Sequence, residues 1–322
     1  MAPVRSRVIR RVLGAFGLAL LATVGLGGTA RADTPPAGYT IVSTSFTAPP
    51  GVPTAGSATC PAGTMPQGGG AYVGGVSDAD NTESSYPSGS SWNVVVNNAT
   101  SATTNAVAVC ADAQPGYVQV ATAAVANNAG NQTSASKACP AGTRILGGGA
   151  LANSTSTLIN LNGTYPSGNG WTGVMNNGSS SSETFKVFAV CSQYSIAATG
   201  YSVVVGTVVD NPAGRQIGAF VNCPNGDSVL GGGISSAVPS TMININTTYT
   251  SGSGNGWSAW ENNATASDNS ITPYAICAHG VPSPGIPESP TATLLLLAGG
   301  MVAVGVGALT ASRRGRPRSS PV

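Results

Sequence analysis

The sequence predicts an all-β fold: three tandem disulfide-bearing β-sandwich-like repeats, followed by one C-terminal transmembrane helix. Three observations predict it. The chain aligns on itself three times between residues 33 and 280. Each copy carries two cysteines at matching places. Short runs rich in Val and Thr, broken by Gly, Asn and Ser, stand where a sustained helical period is missing.

The copies span 33–115, 116–199 and 200–280, opening at Gly38-Tyr39, Gly116-Tyr117 and Gly200-Tyr201. A cysteine followed by Pro-x-Gly comes next, at Cys60, Cys139 and Cys223. A triple glycine begins eight residues on: Gly68 to Gly70, Gly147 to Gly149, Gly231 to Gly233. Tyr86, Tyr165 and Tyr249 lie 26 residues after the cysteines, and Trp92, Trp171 and Trp257 follow them. Five residues after each Trp comes an Asn pair: Asn97-Asn98, Asn176-Asn177, Asn262-Asn263. Cys110, Cys191 and Cys277 close the copies. Copy three departs at Thr250, where the others have Pro87 and Pro166.

Six cysteines allow fifteen pairings. Repetition selects Cys60–Cys110, Cys139–Cys191 and Cys223–Cys277. A unit of about 75 residues is near the lower limit for a self-sufficient core. One bridge per copy compensates, at about 2–4 kcal/mol each.

Strands are expected at Tyr39–Val42, Tyr117–Val120 and Tyr201–Val205. Trp92–Val96 and Ala106–Cys110 read as a hairpin around a Ser/Thr/Asn turn. Phe185–Val190 has the same form. Asn162-Gly163, Asn169-Gly170 and Asn255-Gly256 are turn dipeptides. Tandem sandwiches and one pseudo-threefold assembly both satisfy this pattern.

Cys-Pro-x-Gly, Gly-Gly-Gly, Pro-Ser-Gly, Trp, Asn and a closing Val-Cys or Ile-Cys together resemble an uncharacterised secreted repeat module of high-GC Gram-positive bacteria. The resemblance covers nearly all of the three copies and brings no activity or functional residues with it.

The two ends read differently. Residues 1–32 have the layout of a signal peptide: Arg5, Arg7, Arg10 and Arg11, an apolar run from Val12 to Leu26, then Ala30-Arg31-Ala32 for cleavage after Ala32. An uncleaved anchor is the alternative, for which the apolar run is short. Residues 291–312 hold no charge and suffice for a membrane-spanning helix. Arg313, Arg314, Arg316 and Arg318, in the basic tail 313–322, keep that end cytoplasmic. Four prolines make 281–290 a stiff spacer. Ile286-Pro287-Glu288-Ser289-Pro290 with the helix and tail resembles the C-terminal sorting signals of bacterial surface proteins, of the Pro-Glu-Pro type with Ser289 inserted. The Leu-Pro-x-Thr-Gly core is missing, so a plain anchor is preferred. Gly299, Ala303, Gly307 and Ala311 form a small-residue stripe that permits a homodimer through the anchor.

Nine of the thirteen basic residues lie in the two ends. Between Asp33 and Glu288 only Lys137, Arg144, Lys186 and Arg215 face eleven acids, a net charge of −7. Nucleic acid is excluded as a partner, because phosphate binding needs clustered cations.

The residues offer little chemistry. His279 is the one histidine and reads as a solvated linker residue. Asp78, Asp80 and Glu83 read as a solvated acidic loop in preference to a Ca²⁺ site. No Lys or helix start follows the triple glycines, so they mark a bulge or the close approach of another segment or ring, not a phosphate cradle. The acids do not repeat across the copies. No catalytic residue, metal site or cofactor is expected. Tyr86, Trp92, Tyr165, Trp171, Tyr249 and Trp257 are candidates for stacking on sugar rings. The competing and preferred reading makes the three tryptophans core keystones. The expected class is a membrane-anchored, non-enzymatic cell-surface protein, structural or adhesive. The runner-up is a lectin-like binder of cell-wall or environmental polysaccharide.

Overall fold

The computed structural model describes residues 35–280 apart from 76, 100, 195–199, 225 and 251–253. The segments expected to be a signal peptide, a spacer, a membrane helix and a basic tail lie outside the described residues. Within them are twenty strands and no helix.

Copy one supplies β1 (Thr40–Ala48), β2 (Thr54–Thr59), β3 (Thr64–Val73), β4 (Asn81–Ser88), β5 (Ser91–Asn97) and β6 (Ala102–Asp112). Copy two supplies β7 (Val118–Ala121), β8 (Val125–Asn127), β9 (Gln132–Ala138), β10 (Arg144–Asn153), β11 (Ile159–Pro166), β12 (Gly170–Asn177) and β13 (Glu183–Ser192). Copy three supplies β14 (Ser202–Val205), β15 (Val209–Asn211), β16 (Arg215–Asn222), β17 (Ser228–Ser236), β18 (Ile243–Thr250), β19 (Gly256–Asn263) and β20 (Asn269–Ala278). The opening strand of the first copy is thus split in two in the others.

Each copy forms two three-stranded halves that pack face to face, as β1-β6-β3 and β2-β5-β4 do in copy one. The halves do not stop at the copy. β3 pairs with β18, β10 with β4, and β17 with β11, through Ala71↔Thr248, Ala150↔Ser85 and Ile234↔Thr164. These are the same position in each copy. The result is three sheets, each half from one copy and half from another: β1-β6-β3-β18-β19-β16 (sheet A), β2-β5-β4-β10-β13-β7 (sheet B) and β14-β20-β17-β11-β12-β9 (sheet C). Buried residues of all three copies form a shared main core, Val94, Leu161 and Leu230 among them, and a smaller cluster gathers around Trp257 and Cys277. The copies are therefore sandwich-like, but their sheets are common property.

The disulfides Cys60–Cys110, Cys139–Cys191 and Cys223–Cys277 form as repetition predicts. Each ties the end of a second strand in one sheet to a sixth strand in another, so the three bridges link the sheets in a ring. They indicate an oxidising environment. The motif Cys-Pro-x-Gly is a type II turn. Thr64, Thr143 and Asp227 N–H groups donate to Pro61, Pro140 and Pro224 carbonyls, and Gly63, Gly142 and Gly226 take φ of 87°, 80° and 89°.

The triple glycines explain the closure. A Cβ on the first glycine would collide with the next copy's backbone: Gly68 with Leu230 and Gly231, Gly231 with Leu146 and Gly147, Gly147 with Gln67 and Gly68. The three meet around a pseudo-threefold axis. The second glycine lies under the copy's own tryptophan, Gly69 under Trp92, Gly148 under Trp171 and Gly232 under Trp257. The third abuts a carbonyl at the seam, of Thr248, Ser85 or Thr164. Register also shifts just before each triplet, a bulge at Gln67, Leu146 and Leu230.

Polar staples cross the same seams. The opening tyrosines donate to a neighbouring copy: Tyr39 to Val229 O at 2.9 Å, Tyr117 to Pro66 O at 2.7 Å and Tyr201 to Ile145 O at 2.5 Å. The first Asn of each pair does likewise. Asn97 donates to Ile159 O, Asn176 to Ile243 O and Asn262 to Asp80 O, at 2.9, 2.7 and 3.0 Å.

Two sequence-based expectations fail. Trp92–Val96 and Ala106–Cys110 are not a hairpin: β5 lies in sheet B and β6 in sheet A. The segment between them crosses from one sheet to the facing one, and two inward-alternating strands look alike whether they pair or face each other. Asn162-Gly163 is not a turn but a bulge within β11, with Asn162 buried.

Because no sheet is complete within a copy, the described body is expected to unfold in one transition. Tyr201→Phe should lower its stability by about 1 kcal/mol, with far-UV and near-UV circular dichroism melting together. Separate melting of one copy would contradict the shared sheets.

Candidate functional site

The three tryptophans are wholly interior. Trp92, Trp171 and Trp257 are 0, 0 and 1 % exposed. Each indole N–H donates to a fourth-strand hydroxyl: Ser85 at 2.9 Å, Thr164 at 2.7 Å and Thr248 at 2.8 Å. With a glycine beneath the ring and its one polar atom bonded, the indole has no surface left for a ligand. The tryptophans are keystones of the fold.

The tyrosines behave differently. Tyr86, Tyr165 and Tyr249 are half-buried on outward-facing positions, one per sheet. Each meets a second ring across the seam. Tyr86 lies 5.5 Å from Phe188, Tyr165 stacks on Tyr274 at 5.4 Å, and Tyr249 meets Tyr72 edge-on at 5.5 Å. Burial raises the hydroxyl pKa of all three, and the neighbouring phenol adds to this for Tyr165 and Tyr249. The partners Tyr72, Phe188 and Tyr274 were not among the sequence candidates. Their signal was an aromatic residue at an outward strand position, which only the seam pairing makes meaningful.

The second Asn of each pair also turns inward in copies two and three. Asn177 Nδ2 donates to Asn127 O and Ser181 O, and Asn263 Nδ2 to Asn211 O and Ser267 O. Their Oδ1 atoms accept from Ser179 and Thr265, closing local turns.

The acidic residues do not converge. Asp78 is exposed, Asp80 is buried, and Asp80 accepts from Ala99 N at 2.6 Å and Ser77 N at 3.2 Å. Glu83 lies elsewhere, on the fourth-strand bulge whose equivalents are Asn162 and Asn246. The expectation of one solvated acidic loop therefore holds for Asp78 alone; Asp80 closes a turn and Glu83 lies in a buried strand bulge. Asn162 donates to Ile243 O at 3.0 Å and Asn246 to Asp80 O at 2.7 Å. An ionised Glu83 has no proton for such a bond, and its Oε2 is buried without a partner. Burial raises its pKa to about 8. Glu261 is also buried, and burial raises it to about 7 against bonds from Asn211, Ser236 and Asn269 that lower it. His279 is not a solvated linker residue: its Nδ1 lies 2.8 Å from Asp227 Oδ1, and both are largely covered. It stands two residues past the closing cysteine, as do Asp112 and Gln193, where each side chain lies against the positive-φ glycine of its own copy, Gly200, Gly38 or Gly116. Among the described residues, no three His, Cys, Asp or Glu gather as a metal site.

Two outcomes are expected. Trp171→Ala should cost about 3–5 kcal/mol, read by chemical denaturation. Glu83 and Glu261 are neutral in the folded state over a range where the unfolded chain ionises them. Their contribution is complete below about pH 4.5 and is lost as pH rises toward about 7 and about 8. The melting temperature should fall between pH 5 and pH 8, and Glu83→Gln should flatten that slope. Compared with known proteins, the chain matches no family model and no curated protein.

Proposed function

We propose that the chain is a non-enzymatic surface protein of structural or adhesive type, held to the membrane by the helix expected at 291–312 with residues 33–290 outside. The observation that carries the reading is the half-buried Tyr–aromatic pair that recurs once on each sheet. A body closed by three disulfides and three seams holds these pairs at fixed positions. Three weak contacts, one per sheet on a rigid body, gain by avidity against a repetitive surface. The Asn pairs and Glu83 are committed to the interior. The disulfides agree with an exterior location.

The lectin-like reading is favoured by the same rings. A half-exposed ring offers a flat apolar face to a sugar, and hydroxyl and carboxamide neighbours bond its hydroxyls.

Lys137 and Lys186 are the only lysines, and Lys186 is exposed. An amine-reactive reagent that cannot cross membranes should label Lys186 on intact cells making the full chain, as read by peptide mapping. Labelling only after lysis would overturn the outward orientation. Adhesion should weaken stepwise as Tyr86, Tyr165 and Tyr249 are changed to Ala one after another. Hydrolysis of a polysaccharide by the purified protein would overturn the non-enzymatic reading.

A further inference from the structure

One sheet face differs from the other two. On sheet A, Phe220 in β16, Ser258 in β19 and Tyr249 in β18 stand directly opposite one another in a cross-strand row. Phe220 is 72 % exposed. The outer rings of the row are two strand spacings apart, ~10 Å. Trp260, two residues beyond Ser258, lays its ring over Gly218 on the same face and is half-buried. Tyr72, 41 % exposed, leans edge-on against Tyr249. Two clefts flank Tyr72, one of about 390 Å³ reaching Ile41 and Val107, the other of about 610 Å³ reaching Ser45 and Asn105.

The fold does not require these rings. At the position of Phe220 the other copies have Ser57 and Ser136. At that of Trp260 they have Val95 and Val174, and at that of Tyr72, Leu151 and Ser235. The same strands form without them, so copy differences add three aromatic residues, Phe220, Trp260 and Tyr72, to the Tyr249 that every copy has in its own sheet. Leaving a phenylalanine largely in water is not explained by packing.

The chemistry of the face selects the partner. Sheet A has three charged residues in its strands: Arg215 and Asp112 at strand ends and Glu261, which points inward. Neither a polyanion nor a polycation finds a counter-charge there, and the net charge of −7 across residues 33–290 repels polyanions. Aromatic rings with hydroxyls and carboxamides between them suit the C–H faces and hydroxyls of sugars. From Phe220 to Tyr72 the floor crosses four strands, ~14 Å, more than one sugar ring.

We propose that the outer face of sheet A binds a chain of uncharged polysaccharide, with Phe220, Trp260, Tyr249 and Tyr72 as its stacking floor. This deepens the lectin-like reading and rests on it.

The test is co-sedimentation of the detergent-solubilised full chain with insoluble cellulose, chitin and β-1,3-glucan. Variants Phe220→Ser, Trp260→Val and Tyr72→Leu carry residues that the sister copies place in the same strands. Tyr165→Ala, on sheet C, is the comparator. The expected result is capture by at least one polymer, weakened about tenfold by Phe220→Ser with Trp260→Val and changed less than about twofold by Tyr165→Ala. The melting temperature of each variant, within a few degrees of the parent, certifies that it is folded; Tyr72→Leu gives an independent reading on a different strand. Binding lost through Tyr86→Ala or Tyr165→Ala but kept by the sheet A variants would overturn the assignment while leaving the lectin-like reading standing. No capture by any polymer would overturn both. A dimer in sedimentation velocity that Phe220→Ser dissociates, without capture, would make the face a contact between two copies of the chain and would also overturn the proposal.

Discussion

Everything in the described body depends on how closely three backbones approach one axis. Gly68, Gly147 and Gly231 each occupy the place where a Cβ would enter the next copy's main chain. Without that approach the fourth strand of one copy and the third strand of the next would not come into register. The seams at Ala71–Thr248, Ala150–Ser85 and Ile234–Thr164 would then be missing, and three sheets would become six half-sheets with open edges. The second and third glycines repeat the logic outward, first under an indole and then beside a seam carbonyl. One tripeptide thus sets the axis, the core keystone and the seam.

Fold and function draw on different parts of the repeat. Most of what the copies share, the cysteines, triple glycines, tryptophans, opening tyrosines and first asparagines, points inward or across a seam, while the shared Tyr86, Tyr165 and Tyr249 face outward. What they do not share includes buried acids, Glu83 and Glu261, and residues of the outer faces. Glu83 against Asn162 and Asn246 changes a carboxamide into an acid at a buried strand bulge. Phe220 against Ser57 and Ser136 changes the chemistry of one face. Repetition therefore specifies the architecture and one outward tyrosine per sheet, and its breaches set the three faces apart.

Much of this was legible in the residues. The copy boundaries, the cysteine pairs and the β character follow from offsets alone, and the structural reading of the glycines follows from the absence of a Lys and a helix start after them. The keystone role of the tryptophans is decided by Gly69, Gly148 and Gly232, whose place beneath the rings no spacing reveals. Strand exchange between copies was open, because a half-sheet that ends at Ala71 and one that continues to Thr248 have the same alternation. The β5–β6 connection was misread for a related reason: period two reports which side of a strand is buried, not which strand lies beside it. Asn162-Gly163 was misread because a dipeptide that tolerates a turn also tolerates a bulge. The half-buried aromatic pairs were hidden, since Tyr86 and Phe188 or Tyr165 and Tyr274 meet only through a seam between copies.

Sheet A joins the first copy to the last, through Ala71 and Thr248. A chain emerging from its N-terminus can assemble sheet B once copy two is out, and sheet C once copy three follows, but copy one keeps a bare β3 edge until β18 arrives. Completion of the fold consequently waits for copy three. Until then, the exposed strand edge is the vulnerable feature, open to pairing with a neighbouring unfinished molecule. The ring of sheets is closed by its longest-range contact, so the molecule becomes safe from such mispairing only when it is whole.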